Sequence, residues 1–460
     1  MRIEKDGIGE LSIPDDVFYG IQSYRASKNF PISGTQVHTQ MIKTFLLLKK
    51  AAAIANTETG ALSSEKSEAI STAVDELLSD DFEKHFIVDA YQAGAGTSQN
   101  MNANEVIANK ANVLLGGGLG TYDHINPNDD VNMSQSTNDT YPTAMRLATL
   151  TLSKDLVIEL QKLGNAFKSK AQEFDQVIKS GRTHLQDATP IRLGQEFQAY
   201  QKIIEDLTVL VIQAQDYLRE LGIGGSAVGT GINVPHGYRD AILDELKTFF
   251  NDNDLFLSNN MCKSMQSQLP MMVYSNAMRS IAIELTRVCN DLRLLSSGPA
   301  NGFGEIVLPS SQPGSSIMPG KINPSILEMS NQVFFKVLGN DTAMAFAVSA
   351  GQLELNVMMP VMAQLALEST HILTNALKVM RELCISGINA NVEVCEKYAS
   401  QTSQIVTALN PVIGYAKAAE LTKESLKSKK TVIELVREQK LLSEEQIKDL
   451  LDPMKLTVPH

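Results

Sequence analysis

Residues 314–324, GSSIMPGKINP, concentrate hydrogen-bond donors and carry no acid. Pro319 and Pro324 remove backbone donors, and Gly314 and Gly320 loosen the chain, so the stretch predicts a loop. Its groups, the hydroxyls of Ser315 and Ser316, the ammonium of Lys321 and the carboxamide of Asn323, suit a carboxylate or a developing oxyanion. Three further segments share this character. Residues 94–106 (GAGTSQNMNANEV) hold Thr97, Ser98, Asn100, Asn102 and Asn104. Residues 126–143 (NPNDDVNMSQSTNDTYPT) hold Ser136, Thr137 and Asn138. Residues 181–190 (GRTHLQDATP) hold Arg182, Thr183, His184 and Gln186. Singly, such segments make turns and caps, and a lone histidine reads as structural. As a set, each ahead of a long helical pattern, they predict hydroxyls and amides gathered at helix N-termini. Helix N-termini bind anions through free N–H groups and the positive end of the dipole. The chemistry indicated is capture of a small polyanion by local donors.

Long helices must position these segments. Leu193, Phe197, Tyr200, Ile204, Leu207, Val211, Ala214, Leu218 and Leu221 recur at alternating steps of four and three, a heptad seam that predicts one long helix in a bundle. Ile203, Val209, Leu210 and Ile212 add a second apolar flank, so this helix is expected to meet more than one neighbour. Residues 326–350 and 357–384 are apolar nearly all round and predict helices at a bundle centre or a subunit interface. Gly339, Gly351 and Pro360 are expected to kink or break them. Shorter helices are expected over 40–56 and 65–78, and near the C-terminus LLSEEQIKDLL carries a capping box from Ser443 to Gln446. The expected domains are a mixed, mostly helical 1–140, a long-helix bundle 141–390 and a small helical 391–460. The fold class is mainly α.

Composition narrows the function. The chain has 460 residues, 43% of them hydrophobic, enough for a large core, and it lacks tryptophan, so aliphatic side chains must fill that core. A net charge of −12 with no basic stripe argues against nucleic acid, and the basic run 423–430 reads as a solvated helix face. Cys262, Cys289, Cys384 and Cys395 fall in no metal or redox spacing and read as reduced, buried thiols. Asp129 and Asp130 read as a solvated turn. No apolar run is long enough for a membrane span and the N-terminus has no signal-like core, so a cytoplasmic location is expected. Neither a Rossmann fingerprint nor a P-loop is found.

The GSSIMPGKINP loop resembles the signature of the aspartase/fumarase superfamily, and the other three clusters resemble its remaining blocks in order and spacing. The resemblance extends from RIEKDGIGE and YGIQSYRASKNFPISG to ANVEVCEKY and TALNPVIGY. GAGTSQNMNANE, STND, CNDLRLLSSGP and HILTNA are closer to the aspartase branch, whereas GRTHLQDATP is common to both. The resemblance implies the three-domain fold of that superfamily with a long central helical bundle. It also implies elimination of ammonia from L-aspartate to give fumarate, through a carbanion stabilised as an aci-carboxylate. No organic cofactor is implied; aspartases can respond to a divalent metal, for which no ligand set is visible here. Ser315 would be the base, an alkoxide stabilised by loop N–H groups and Lys321, with Gly314 and Gly320 as hinges of a closing loop. Thr97, Ser136, Thr137 and Ser316 would bind the β-carboxylate, and Thr183, Lys321 and Asn323 the α-carboxylate. Asn138 and His184 would lie near the amine, with Glu328 orienting His184. A homotetramer with sites shared between subunits is implied.

Three departures from the resemblance stand out. Ala300 lies where an arginine is usual (SGPANG), Met359 where aspartases have a glutamate (NVMMP), and residues 261–272 do not resemble the usual block, with Pro270 expected to interrupt a helix. Two explanations stay open: compensated loss of a charge pair, or a paralogue with the same mechanism and another substrate, a substituted amino acid or malate. A non-enzymatic scaffold is disfavoured by intact Ser315, Lys321, Asn323 and His184.

Overall fold

A computed structural model describes residues 1–458. The architecture is mainly α. The longest helices are Thr137–Glu173, Leu193–Leu218, Leu269–Leu295, Ser325–Ser349 and Met359–Leu383. Strands among the described residues form only two-stranded sheets, of which the antiparallel pair Ile178–Thr183 and Gln186–Arg192 is the longest. Every residue of the heptad seam from Leu193 to Leu221 is buried. The second flank is not: Val209, Leu210 and Ile212 are exposed.

Two compact units divide the chain. The first comprises residues 1–157, 209–280 and 335–374; the second comprises 158–208, 281–334 and 375–460. In the first, the helices Leu269–Leu295, Ser325–Ser349 and Met359–Leu383 are joined by buried polar contacts. Tyr274 Oη lies 2.9 Å from Thr370 Oγ1, the Ser275 hydroxyl donates to Asp341 at 2.6 Å, and the Asn340 amide donates to Ser369 at 2.9 Å. Such pairs fix helix register because each buried polar atom needs its partner. In the second, Phe167, Phe174, Phe197 and Tyr200 form an aromatic cluster, with the Phe174 and Phe197 rings edge to face at 5.1 Å. A separate apolar core built on Leu409, Leu421, Leu435, Val436 and Ile447 holds the C-terminal helices together. There the capping box of Ser443 and Gln446 is formed in both directions.

Several expectations are corrected. Gly339 sits inside the unbroken helix Ser325–Ser349, whose remaining hydrogen bonds offset the weak propensity of one glycine. Pro360 and Pro270 are each the second residue of a helix, where the missing N–H costs nothing, so they start helices instead of interrupting them. Asp130 is buried and paired with Lys66 at 2.8 Å, so it is not a solvated turn residue. Cys289, Cys384 and Cys395 are buried free thiols, but Cys262 is exposed. No helix of the described residues is long and apolar enough to cross a membrane.

Candidate active site

In the first unit, two of the four clusters meet. Thr97 opens the helix Thr97–Leu114, preceded by a turn in which Ala95 and Gly96 have positive φ. A Cβ on Gly96 would lie 2.0 Å from the Tyr141 ring, so glycine there lets the turn close onto the second helix. Ser136 precedes the helix Thr137–Glu173, and its hydroxyl accepts the Asn138 N–H at 3.2 Å. The Asp139 carboxylate receives the N–H groups of Ser136, Gly224 and Ser226, at 2.9, 3.0 and 2.8 Å. Burial raises its pKa to about 6 against those bonds. Beneath lies Lys49, wholly buried, whose ammonium donates to Asn132 Oδ1 and Gln135 Oε1, both at 2.9 Å. Asn132 Oδ1 also accepts from the Asn100 amide at 3.2 Å, so one carboxamide ties both clusters to Lys49. Burial lowers the Lys49 pKa to about 7, with Asp139 opposing the shift. The carboxamide of Asn138 donates to Ala227 O at 2.8 Å and keeps one N–H and its oxygen for other partners. Asn102 lies within the helix, bonded to His85 and Ile87, and Asn104 is buried there too, so neither belongs to the helix start.

The third cluster does not start a helix. It is the tip of the hairpin Ile178–Thr183 and Gln186–Arg192, in the second unit. His184 and Leu185 are its two-residue turn, with φ of 55° and 60°. This is the left-handed turn that matches strand twist, here without the usual Asn or Gly. Thr183 and His184 are exposed at that tip.

The fourth cluster lies in the second unit as the expected loop. The Gly314 N–H donates to Lys321 O at 2.9 Å, and the Asn323 amide donates to Gly314 O at 2.7 Å, closing the loop at its neck. A Cβ on Gly314 would lie 2.4 Å from Lys321 O and 2.6 Å from Asn323 N, so Gly314 serves close approach of two backbones. Gly320, with φ of 78° and open surroundings, is the free turn residue. Within the loop, Ser315 Oγ accepts the N–H groups of Ile317 at 3.3 Å and Met318 at 3.0 Å.

Thr97, Ser136, Thr137 and Asn138 therefore fall in the first unit, and Thr183, His184, Ser315, Ser316, Lys321, Asn323 and Glu328 in the second. Among the described residues, the side chains of Thr97, Thr137, Thr183, His184, Ser316 and Lys321 make no hydrogen bond or ion pair. Glu328 lies 4.0 Å from Arg293, and among the described residues no hydrogen bond or ion pair joins it to His184. Lys49 escaped sequence reading because it sits in an apolar run beside an identical neighbour, Lys50. The departures are placed as well. Met359 is buried, its sulfur 3.8 Å from the Gln268 amide, and Gln268 Oε1 in turn lies 3.4 Å from buried Arg146. Ala300 is exposed in a turn.

Comparison with known proteins identifies the family. The family described as Lyase matches residues 9–339, and that described as Fumarase C C-terminus matches 405–458. The chain is 46% identical over 462 residues to aspartate ammonia-lyase of Helicobacter pylori (strain ATCC 700392 / 26695), covering 100% of this chain and 98% of the relative. It is 41% identical over 459 residues to fumarate hydratase class II of Bacillus anthracis, covering 100% and 99%. The crystal structure of fumarate lyase:delta crystallin from Brucella melitensis bound to cobalt superposes with a TM-score of 0.96 at 44% identity, with 100% of both chains covered. Fold and donor set thus fit a lyase. The chain belongs to the lyase family that its motifs resemble, the aspartase/fumarase superfamily.

Proposed function

We propose that this protein is a carbon–nitrogen lyase that eliminates ammonia from L-aspartate to give fumarate, with Ser315 as the base. The observation that carries the reading is the pair of N–H groups aimed at Ser315 Oγ. A serine hydroxyl is a weak acid, and donors fixed on its oxygen favour the alkoxide. Curated relatives that bear the aspartate ammonia-lyase name, at 43–46% identity, support the choice of substrate.

In the proposed step, the Ser315 alkoxide takes the proton from the carbon beside the β-carboxylate. The electron pair moves into that carboxylate, which becomes an aci-carboxylate with two negative charges. Preorganised donors there supply several kcal/mol of transition-state stabilisation. Collapse forms the carbon–carbon double bond and breaks the C–N bond, and its electron pair leaves with nitrogen as ammonia. Thr97, Ser136, Thr137 and Ser316 hold the β-carboxylate. Thr183, Lys321 and Asn323 hold the α-carboxylate, and Asn138 and His184 lie by the amine. Glu328 orients His184, and since no hydrogen bond or ion pair joins the two among the described residues, the pairing joins different copies. A homotetramer with shared sites provides this. Exposed Val209, Leu210, Ile212, Ile283, Phe335 and Phe346, on three of the long helices, support such an assembly. The reading requires no organic cofactor and places the enzyme in the cytoplasm.

The test is the ultraviolet absorbance of fumarate on mixing purified protein with L-aspartate and, in parallel, L-malate. A rise with L-aspartate alone is expected. Silence with L-aspartate overturns the substrate; a rise with L-malate then indicates a hydratase, and silence with both directs attention to substituted amino acids.

A further inference from the structure

On a regular strand, side chains alternate between faces, so residues three apart point to opposite sides. Lys179 and Arg182 are three apart, yet both reach the buried carboxylate of Glu305. Lys179 Nζ lies 2.8 Å from it, and Arg182 Nη1 lies 2.9 and 3.0 Å from its two oxygens. Between them the hairpin register shifts, Ser180 pairing with Pro190 and Arg182 with Asp187, so the partner strand carries one extra residue there, a bulge that raises the local twist. Gly181 is the single residue opposite the bulged pair Ala188 and Thr189, and a Cβ on it would lie 2.7 Å from Thr189 O. The guanidinium so placed lies over the Phe303 ring at 4.2 Å and near the Tyr398 ring at 5.5 Å. Glu305 is held in turn through its carbonyl, which accepts the Asn391 N–H at 2.8 Å. Lys179 is neutralised further by Glu196 at 2.9 Å, so the buried node is balanced in charge.

Two residues beyond this node is the turn His184–Leu185, with both φ positive and neither residue glycine. Such conformations persist where surrounding structure over-determines them. We infer that Arg182 is a positioning residue: clamped by Glu305, Phe303 and Tyr398, it holds the strained turn that presents Thr183 and His184 to the substrate. The inference rests on the role proposed for those two residues, but its first readout does not.

The experiment uses the full-length protein with Arg182→Lys, which keeps a charge for Glu305 and loses the planar stack, and Arg182→Met. Phe303→Leu keeps every charge and removes only the ring, and it carries the test if the Arg182 variants do not fold. Amide hydrogen exchange of residues 183–186 is measured first, without substrate. Exchange at least about tenfold faster than wild type is expected at the tip, with the long helices unchanged. The KM for L-aspartate is expected to rise at least about tenfold, and calorimetric affinity for fumarate to fall alike. An unchanged tip overturns the inference even if the wild type is active. A loosened tip with unchanged KM and fumarate affinity also overturns it, because Arg182 would then be structural only. A loosened tip and weakened fumarate binding beside a wild type inert on L-aspartate sink the substrate reading and keep the anchor. A wild type that binds no fumarate and turns over no L-aspartate overturns both.

Discussion

Ser315 and Met318 face each other across one turn of their loop, the Met318 N–H pointing at the Ser315 hydroxyl oxygen from 3.0 Å. The serine accepts this bond and one from Ile317, so its proton is directed away from both donors. Replacing Ser315 with alanine deletes the acceptor and leaves two exposed N–H groups that water satisfies, so folding is expected to be unaffected. Turnover of L-aspartate is expected to fall by roughly 10²–10⁴-fold, the range for loss of a positioned proton-transfer group. Fumarate affinity is expected to survive. Steady-state kinetics and calorimetry decide the matter, and an active Ser315→Ala enzyme would remove Ser315 from the role of base.

Gly314→Ala places a methyl group 2.4 Å from Lys321 O, a backbone atom that cannot swing aside. The neck must open, and Lys321 and Asn323 move relative to Ser315. A large loss of turnover with an unchanged melting temperature is expected, because the loop is mostly exposed and contributes little to the core. Gly320→Ala meets no atom within 4 Å and pays only for its positive φ, about 1 kcal/mol. The contrast between the two variants, read in one assay, checks whether the neck or the tip governs the loop.

Lys49→Met removes the donor shared by Asn132 and Gln135. The apolar replacement is nearly isosteric, but Gln135 Oε1 loses its donor and Asn132 Oδ1 keeps only Asn100. A loss of about 1–3 kcal/mol in urea unfolding is expected, the usual cost of an orphaned buried acceptor. A more stable variant would show that desolvation of the lysine outweighs its two bonds.

Acid should weaken the fold through His85. Burial pushes its pKa down to about 4, and its Nδ1 accepts the Phe18 N–H at 3.2 Å, which requires the unprotonated ring. The folded-state pKa lies below the unfolded value of 6.5, so the unfolded chain binds the extra proton between them. The contribution is complete above about pH 6.5 and is lost as pH falls towards 4. His85→Gln lacks this titration. Its melting temperature relative to wild type is expected to be lowest near neutrality and to recover as pH approaches 4. A pH-independent difference would show that His85 does not carry the effect.

Helices were legible where periodicity was strong. The seam from Leu193 to Leu221 is buried at every position, since a four–three alternation leaves a chain one way to hide its large side chains. The capping box at Ser443 was legible because its two hydrogen bonds are local in sequence. The hairpin 178–192 was not. IKSGRTHLQDATPIR lacks clean alternation because of the bulge at Ala188 and Thr189, opposite Gly181, and its turn uses His and Leu, held by contacts far away in the chain. Lys49 and Lys50 look alike in sequence. Only helix phase separates them, burying one and setting the other against Asp75 at 2.6 Å. The loop 314–324 was legible as a loop from its prolines and glycines, but the closeness that makes Gly314 indispensable is a property of three dimensions.

The open flank of Val209, Leu210 and Ile212 has a consequence for how much enzyme is in the tube. The seam on the same helix is satisfied inside the chain at any dilution, whereas the exposed flank would be covered only in the proposed assembly and would lose that cover when copies part. A protein whose apolar surface is covered by its own kind obeys mass action: assembled chains are stabilised by concentration as though by a ligand. Under the homotetramer proposed above, activity per mole is a function of concentration, and diluting the enzyme is itself a form of inhibition.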